Sequence, residues 1–386
     1  MSIAAIDQVL KSAVAVGDVP NVTAVAADRD GVIYEGAAGP RAVGLDDLVG
    51  PDSMLRIASQ TKIVATAAAL QQVERGEIDL DAPVDTYLPE FADLQVLEGF
   101  DGDTPKLRPA GLRATVRHLI THTTGLGYPF YNADLARWHT VTGTPPMMSG
   151  LNAVFTAPLT YDPGTRFQYG TSTDWLGSVV EVVTGQPLQG YLDANIFGPL
   201  GMNDTTFLMT EEQRANSVPV HLRGTDGAWM VNGWVDWSQQ PQWWAGGHGL
   251  YGTPRDFLAF QRMLLGGGTL GDVKILEPAT VAAAFTNQIG SLDFPPEMPT
   301  ADPASVSDSN FGPGLKWGYG LLLNTEQQPG MRAAGSGSWA GIFNTYYWVD
   351  PDSGITAAIY TQTLPFADPR ALQLYMDFER ALYASL

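Results

Sequence analysis

The strand-like segments of this chain stand at its two ends, and the long middle is patterned for helices. Residues 22–26 and 32–36 are short strand-like runs, and Asp28-Arg29-Asp30-Gly31 between them reads as a hairpin turn. A second group falls at 318–323, 344–349 and 355–360, where Asp350-Pro351-Asp352-Ser353-Gly354 turns the last two runs against each other. Helical spacing marks residues 4–16, and a final helix is predicted over 369–382. Between Ser59 and Leu265 the pattern is mostly helical, broken by Pro and Gly loops. The simplest fold class is α/β (α+β): an antiparallel sheet made from both termini and flanked by terminal helices, with a mostly helical domain inserted. This reading assigns 1–58 and 266–386 to a discontinuous sheet domain and 59–265 to the helical domain, with a site in the cleft between them. Residues 289–314, rich in Pro, Ser, Asp and Gly, read as a long excursion, of the kind that is either a functional lid or poorly ordered.

Composition excludes several function classes. A formal net charge of −20 repels polyanions, so no nucleic-acid partner is expected. With no cysteine there is no disulfide, thiolate nucleophile or Cys-ligated zinc. No His-Glu-x-x-His pattern offers a metal site, and no cofactor is expected. No apolar run reaches membrane-spanning length, and the first residues lack a basic segment followed by an apolar stretch and cleavage site. The expectation is a soluble cytoplasmic protein acting on a small molecule, with no membrane partner. The sequence carries no signal for oligomeric state.

The chemistry starts at Ser59-Gln60-Thr61-Lys62. Residues three apart share a helix face, so Ser59 and Lys62 are predicted neighbours on the first turn of a helix. Free N–H groups and the helix dipole favour negative charge there. The continuation Ile63-Val64-Ala65-Thr66-Ala67-Ala68-Ala69-Leu70 is apolar nearly all round, as a buried helix is. A lysine desolvated on such a helix loses pKa and can accept a proton. Tyr169 is a second candidate. It follows a turn at 161–168 and precedes Ser172-Thr173-Asp174, read as the cap of a helix over 175–184. Proximity to an ammonium is expected to lower its pKa and make it a base. The third candidate is the glycine-rich stretch Gly335-Ser336-Gly337-Ser338-Trp339-Ala340-Gly341-Ile342. It permits close approach to backbone, and one of its N–H groups with that of Ser59 can form an oxyanion hole.

Several further stretches accompany these: Gly76-Glu77-Ile78-Asp79-Leu80-Asp81-Ala82-Pro83-Val84, Leu119-Ile120-Thr121-His122-Thr123-Thr124-Gly125-Leu126, Gly198-Pro199-Leu200-Gly201-Met202 and Gly246-Gly247-His248-Gly249-Leu250-Tyr251-Gly252-Thr253. With them the chain resembles the serine β-lactamase/penicillin-binding-protein superfamily in its class C-like branch, and within it the family VIII carboxylesterases and related acyltransferases. The resemblance extends along nearly the whole chain and implies a β-lactamase/transpeptidase-like fold. It implies Ser59 as nucleophile, Lys62 as its activator, Tyr169 as general base and acid, and the Ser59 and Ile342 N–H groups as the oxyanion hole. Trp339-Ala340-Gly341 stands where the β-lactamases usually carry Lys-Thr-Gly, and Tyr169-Gly170-Thr171 where class C enzymes carry Tyr-x-Asn. The missing cation argues for ester substrates over β-lactams.

Trp339, Gly341, Tyr128 and His248 are the candidate substrate-binding residues. Aromatics in Tyr128-Pro129-Phe130-Tyr131 and at Trp234, Trp237, Trp243 and Trp244 flank the predicted cleft and suit an apolar acyl pocket. His122 reads as structural, its side chain holding a loop by hydrogen bonding. The expected activity is hydrolysis of short-acyl or aromatic carboxylic esters through an acyl-enzyme. Acyl transfer, weak β-lactamase or amidase activity, and a scaffold without turnover are the alternatives.

Overall fold

The structure, a computed structural model, describes residues 3–233 and 237–386. Among these residues one antiparallel sheet is built from β1 (Val22–Asp28), β2 (Val32–Ala38), β3 (Lys316–Trp317), β4 (Leu322–Leu323), β5 (Gly337–Gly341), β6 (Thr345–Asp350) and β7 (Ile355–Tyr360). Its order is β3-β4-β5-β6-β7-β1-β2. The two ends of the chain meet where β1 pairs with β7, from Thr23 opposite Tyr360 to Asp28 opposite Ile355. The predicted hairpin closes through the Asp28 carboxylate, which accepts the N–H groups of Asp30 and Gly31 at 2.8 Å each.

Strands β1, β6 and β7 are buried almost throughout, so both of their faces are apolar. On one face Ala24, Ala26, Trp348 and Ile359 pack with helices α1 (Ile3–Ala15) and α5 (Pro369–Tyr383), through Ile6, Leu10, Leu374 and Phe378. The other face joins the large core that reaches α2 (Thr61–Glu74), α3 (Ser172–Thr184) and α4 (Pro254–Leu265). The sheet made from both termini and its terminal helices therefore stand as expected.

Three local expectations differ. Helix α4 falls within the span 59–265 expected to be the inserted helical part, yet it lies on β1, β6 and β7. Its buried Gln261 amide donates to Thr356 Oγ1 and Ala357 O, both at 2.9 Å. An amphipathic pattern identifies a buried face but not the surface that covers it. Within the glycine-rich segment 335–342, residues 337–341 form β5, paired with β4 and β6. The loop 289–314 folds back on the protein. Glu297–Met298 pairs with Ser309–Asn310, and buried Phe294 stacks on Trp317 at 6.1 Å. A hairpin of Gln95–Asp101 and Thr104–Pro109 also interrupts the otherwise helical middle.

Candidate active site

Ser59 does not sit on α2 itself. It occupies a 3-10 turn, Ala58–Gln60, that leads into α2. Ala58 before it has φ +49°, a left-handed conformation that costs a non-glycine residue about 1 kcal/mol or more. The Thr61 hydroxyl helps to hold this turn through two bonds. Thr61 Oγ1 donates to Ala58 O at 2.6 Å and accepts Leu250 N–H at 3.1 Å. On this turn the Ser59 hydroxyl lies within hydrogen-bond distance of Lys62.

Lys62 is 1% exposed. Its Nζ donates to Ser59 Oγ at 3.2 Å, Tyr128 OH at 3.0 Å and Gly247 O at 2.7 Å. An ammonium has three donors, and these three partners use them all. Burial pulls its pKa down from 10.5 to about 7, against the opposing charge of Asp174. The predicted pairing of a serine with a desolvated lysine is thus present in the geometry.

Tyr169 joins the same cluster, but in a different protonation state from the one expected. Burial raises its pKa, and the Ser59 and Trp339 hydrogen bonds only partly oppose this. The buried ring therefore rests as a neutral phenol. Trp339 Nε1 donates to its hydroxyl at 3.1 Å. Lys62 Nζ lies 4.7 Å from its ring centroid, and the rings of His122, Tyr128 and Trp339 pack around it at 5.1, 5.3 and 4.8 Å. Gly170 lets this loop touch the 126–127 backbone; a Cβ there would stand 2.3 Å from Leu126 O. The helix that follows starts earlier than predicted. Ser172, Thr173 and Asp174 lie inside α3, and the cap residue Thr171 makes no side-chain capping bond. Ser172 Oγ bonds Thr124 Oγ1 at 2.8 Å instead, and Asp174 is drawn to Gly247.

Strand β5 runs directly against the Ser59 turn. A Cβ on Gly341 would lie 2.6 Å from Ile57 O and 2.5 Å from Thr345 Oγ1, so only glycine permits this approach. Ser59, Ile342 and Phe130 line two cavities at once. One, of about 30 Å³, is closed by Trp339, Phe311, Phe366, Val306 and Met298, and Gly341 borders it. The other, of about 500 Å³, is bordered by Tyr128, His139, Met147, Met148, Trp237 and His248. Trp339, Gly341, Tyr128 and His248 thus all border a space that Ser59 also lines; the Trp339 N–H donates to Tyr169 and the Tyr128 hydroxyl oxygen accepts from Lys62.

His122 is buried, with φ +55°, and burial together with Lys62 holds its pKa well below the usual value. It holds its loop differently from the expectation: the backbone carbonyl accepts Gln168 N–H at 2.9 Å and the ring packs on Phe167, Tyr169 and Trp317. Its Nδ1 has no hydrogen-bond partner among the described residues. Trp237 and Trp243 are buried beside the second cavity and its neighbour, with Trp244 close by; Trp234 lies outside the described residues. Sequence reasoning missed Asp174 and the Gly247 carbonyl. Among the described residues no group of His, Asp and Glu is disposed to hold a metal, and no helix is long and apolar enough to cross a membrane.

Comparison with known proteins identifies the family and the fold. The family model described as Beta-lactamase matches residues 6–381. A lovastatin esterase of Penicillium rubens is 30% identical over 98% of this chain and 97% of its own length. A monacolin J acid methylbutanoyltransferase of Aspergillus terreus is 31% identical over 97% of this chain and 94% of its own. Among solved structures, a simvastatin synthase (LovD6 mutant) from Aspergillus terreus superposes with a TM-score of 0.85 at 30% identity, covering 99% of this chain and 96% of that one. EstCE1, a hydrolase with promiscuous acyltransferase activity, shares the fold with a TM-score of 0.80 at 22% identity, over 99% and 98% of the two chains.

Proposed function

Because the chain belongs to the beta-lactamase family, we propose that it is a serine enzyme that cleaves carboxylic esters through an acyl-enzyme on Ser59. The observation that carries this reading is the Ser59 hydroxyl, 3.2 Å from a buried amine of pKa about 7 and facing two cavities. The free Lys62 amine takes the Ser59 proton while Oγ attacks the ester carbonyl carbon. The carbonyl oxygen, now an anion, is received by the N–H groups of Ser59 and Ile342. As the C–O bond of the leaving group breaks, Tyr169 gives its phenol proton to the departing alkoxide. Lys62 is then an ammonium facing the Tyr169 phenolate, which the Trp339 N–H also stabilises. Water gives a proton to this phenolate as it attacks the acyl carbon, and Ser59 leaves with the proton held by Lys62. Both groups return to their starting states.

The cavities argue for the substrate class. The space of about 30 Å³ behind Trp339 and Phe311 suits a short acyl chain, and the space of about 500 Å³ suits a larger apolar alcohol. A second reading, acyl transfer to an alcohol, is favoured by that larger cavity and by the methylbutanoyltransferase relative. It shares every step except that an alcohol replaces water. β-Lactam hydrolysis is disfavoured: Trp339 stands at the third motif, where a cation would hold the substrate carboxylate. A scaffold without turnover is disfavoured by the assembled Ser59, Lys62 and Tyr169. The test is a fluorophosphonate trap read by mass spectrometry, with nitrophenyl esters of graded acyl length. The wild type gains one adduct and Ser59→Ala none; labelling of that variant at the wild-type rate would sink the assignment. Partition of the acyl group between water and added alcohol separates the two readings.

A further inference from the structure

The turn at residues 245–249 lies against the first turn of α3 more closely than side chains permit. A Cβ on Gly247 would stand 2.6 Å from the Asp174 carboxylate, and one on Gly246 2.7 Å from Thr173 O. The contact is polar. Gly247 N–H donates to Asp174 Oδ1 at 2.8 Å, and the carbonyl of the same glycine accepts from Lys62 Nζ at 2.7 Å. One residue of backbone thus links the carboxylate to the amine.

Asp174 is an expensive residue for that link. It is fully buried, and its Oδ2 has no hydrogen-bond partner among the described residues. His248 Nδ1 stands 3.4 Å from its Oδ1. A neutral asparagine could also receive the Gly247 N–H, though more weakly, so the hydrogen bond alone does not require a charge here. The groups facing Lys62 narrow what the charge acts on. Ser59 comes from the turn before α2, His122 and Tyr128 from the following loops, Tyr169 from the loop before α3 and Asp174 from α3 itself, while His248 of the glycine turn stands beside the carboxylate. Burial keeps both phenols protonated and His122 neutral. Among the described residues the Asp174 carboxylate is then the anion that acts on the amine.

We propose that Asp174 is the positioning residue for Lys62: it pins Gly247, whose carbonyl holds the amine, and its charge sets the pH above which Lys62 is free to take the Ser59 proton. This rests on the reading of Lys62 as the base for Ser59. The direction follows from electrostatics. An anion favours the ammonium, so it raises the pKa that burial lowers. Removing the charge moves the working range of Lys62 to lower pH.

The experiment is kcat/KM for a nitrophenyl ester from about pH 5 to 9, on the wild type and Asp174→Asn, each with a thermal melt. The wild type should show an acid limb near pH 7, the value of Lys62. In Asp174→Asn the limb should move about one pH unit to the acid side, with a plateau lowered by about tenfold or less as the base weakens. Below pH 7 the variant then retains a larger share of its own maximum than the wild type does. If Asp174→Asn does not fold, Asp174→Ser, smaller and also neutral, is read in the same way. A limb that stays in place while the melt or the plateau falls overturns the role given to Asp174 and leaves Lys62 as the base. A wild type with no limb in this range overturns the reading of Lys62 itself.

Discussion

Gly341→Ala is the sharpest test of how β5 serves the Ser59 turn. The glycine does not adopt positive φ, so alanine meets no backbone penalty and the effect is purely steric. The added methyl would lie 2.6 Å from Ile57 O, whereas ordinary contact begins at 3.4 Å, so strand and turn must part by 0.8 Å (3.4 minus 2.6). Thr345 Oγ1, at 2.5 Å, can move away by rotation because it has no hydrogen-bond partner. Ile57 O has no such freedom. It accepts Gln60 N–H at 3.1 Å and thereby holds the turn on which Ser59 sits, while Ile57 N–H is tied to Leu250 O. The displacement therefore falls on the distance between the Ser59 and Ile342 N–H groups. A misplacement approaching 1 Å at a reacting centre lowers rate by roughly 10²-fold, about 2.7 kcal/mol of transition-state stabilisation. The assay is steady-state hydrolysis of a nitrophenyl ester. The expected outcome is a fall in kcat of about that size, a KM within about threefold of wild type, and a small drop in Tm. A Gly341→Ala variant with kcat within about threefold of wild type would refute the close approach of β5 as the basis of the oxyanion hole.

Two further substitutions probe the same site from other sides. Trp339→Phe removes the N–H that reaches the Tyr169 hydroxyl; a hydrogen bond to a developing phenolate contributes about 1.5–3 kcal/mol, so kcat should fall by roughly 10- to 150-fold with KM little changed. A rate within twofold of wild type would remove Trp339 from the proton path. Phe311→Ala opens the smaller cavity and should shift the kcat/KM ratio of hexanoyl to acetyl esters upward by roughly tenfold or more. An unchanged ratio in competition assays would move the acyl group to the other cavity.

Much of this was legible in the sequence because it is local. The Ser59–Lys62 pair follows from a spacing of three and an apolar run, and the end strands from their turns at Asp28–Gly31 and Asp350–Gly354. What escaped depends on burial and on backbone. The protonation of Tyr169 is set by the depth of its packing among His122, Tyr128 and Trp339, which no local window contains. The Gly247 carbonyl that holds Lys62 has no side chain to announce it, and Asp174 resembled a capping residue because Ser-Thr-Asp before a helix usually is one. Helix α4 follows the helical middle in sequence but packs on the sheet, because an apolar helix face fits a sheet as well as a neighbouring helix. Strand β5 was obscured by its glycines, the residues that let it approach Ser59.

In the proposed mechanism a buried Lys62 amine, free near neutrality, takes the proton of Ser59. The rate of Ser59 phosphonylation as a function of pH measures this without contributions from deacylation. The rate should rise through an acid limb near pH 7, and a Lys62→Met variant should be slowed by roughly 10²- to 10⁴-fold across the range. A rate flat from about pH 6 to 9, or a Lys62→Met variant labelled within threefold of the wild-type rate, would contradict it.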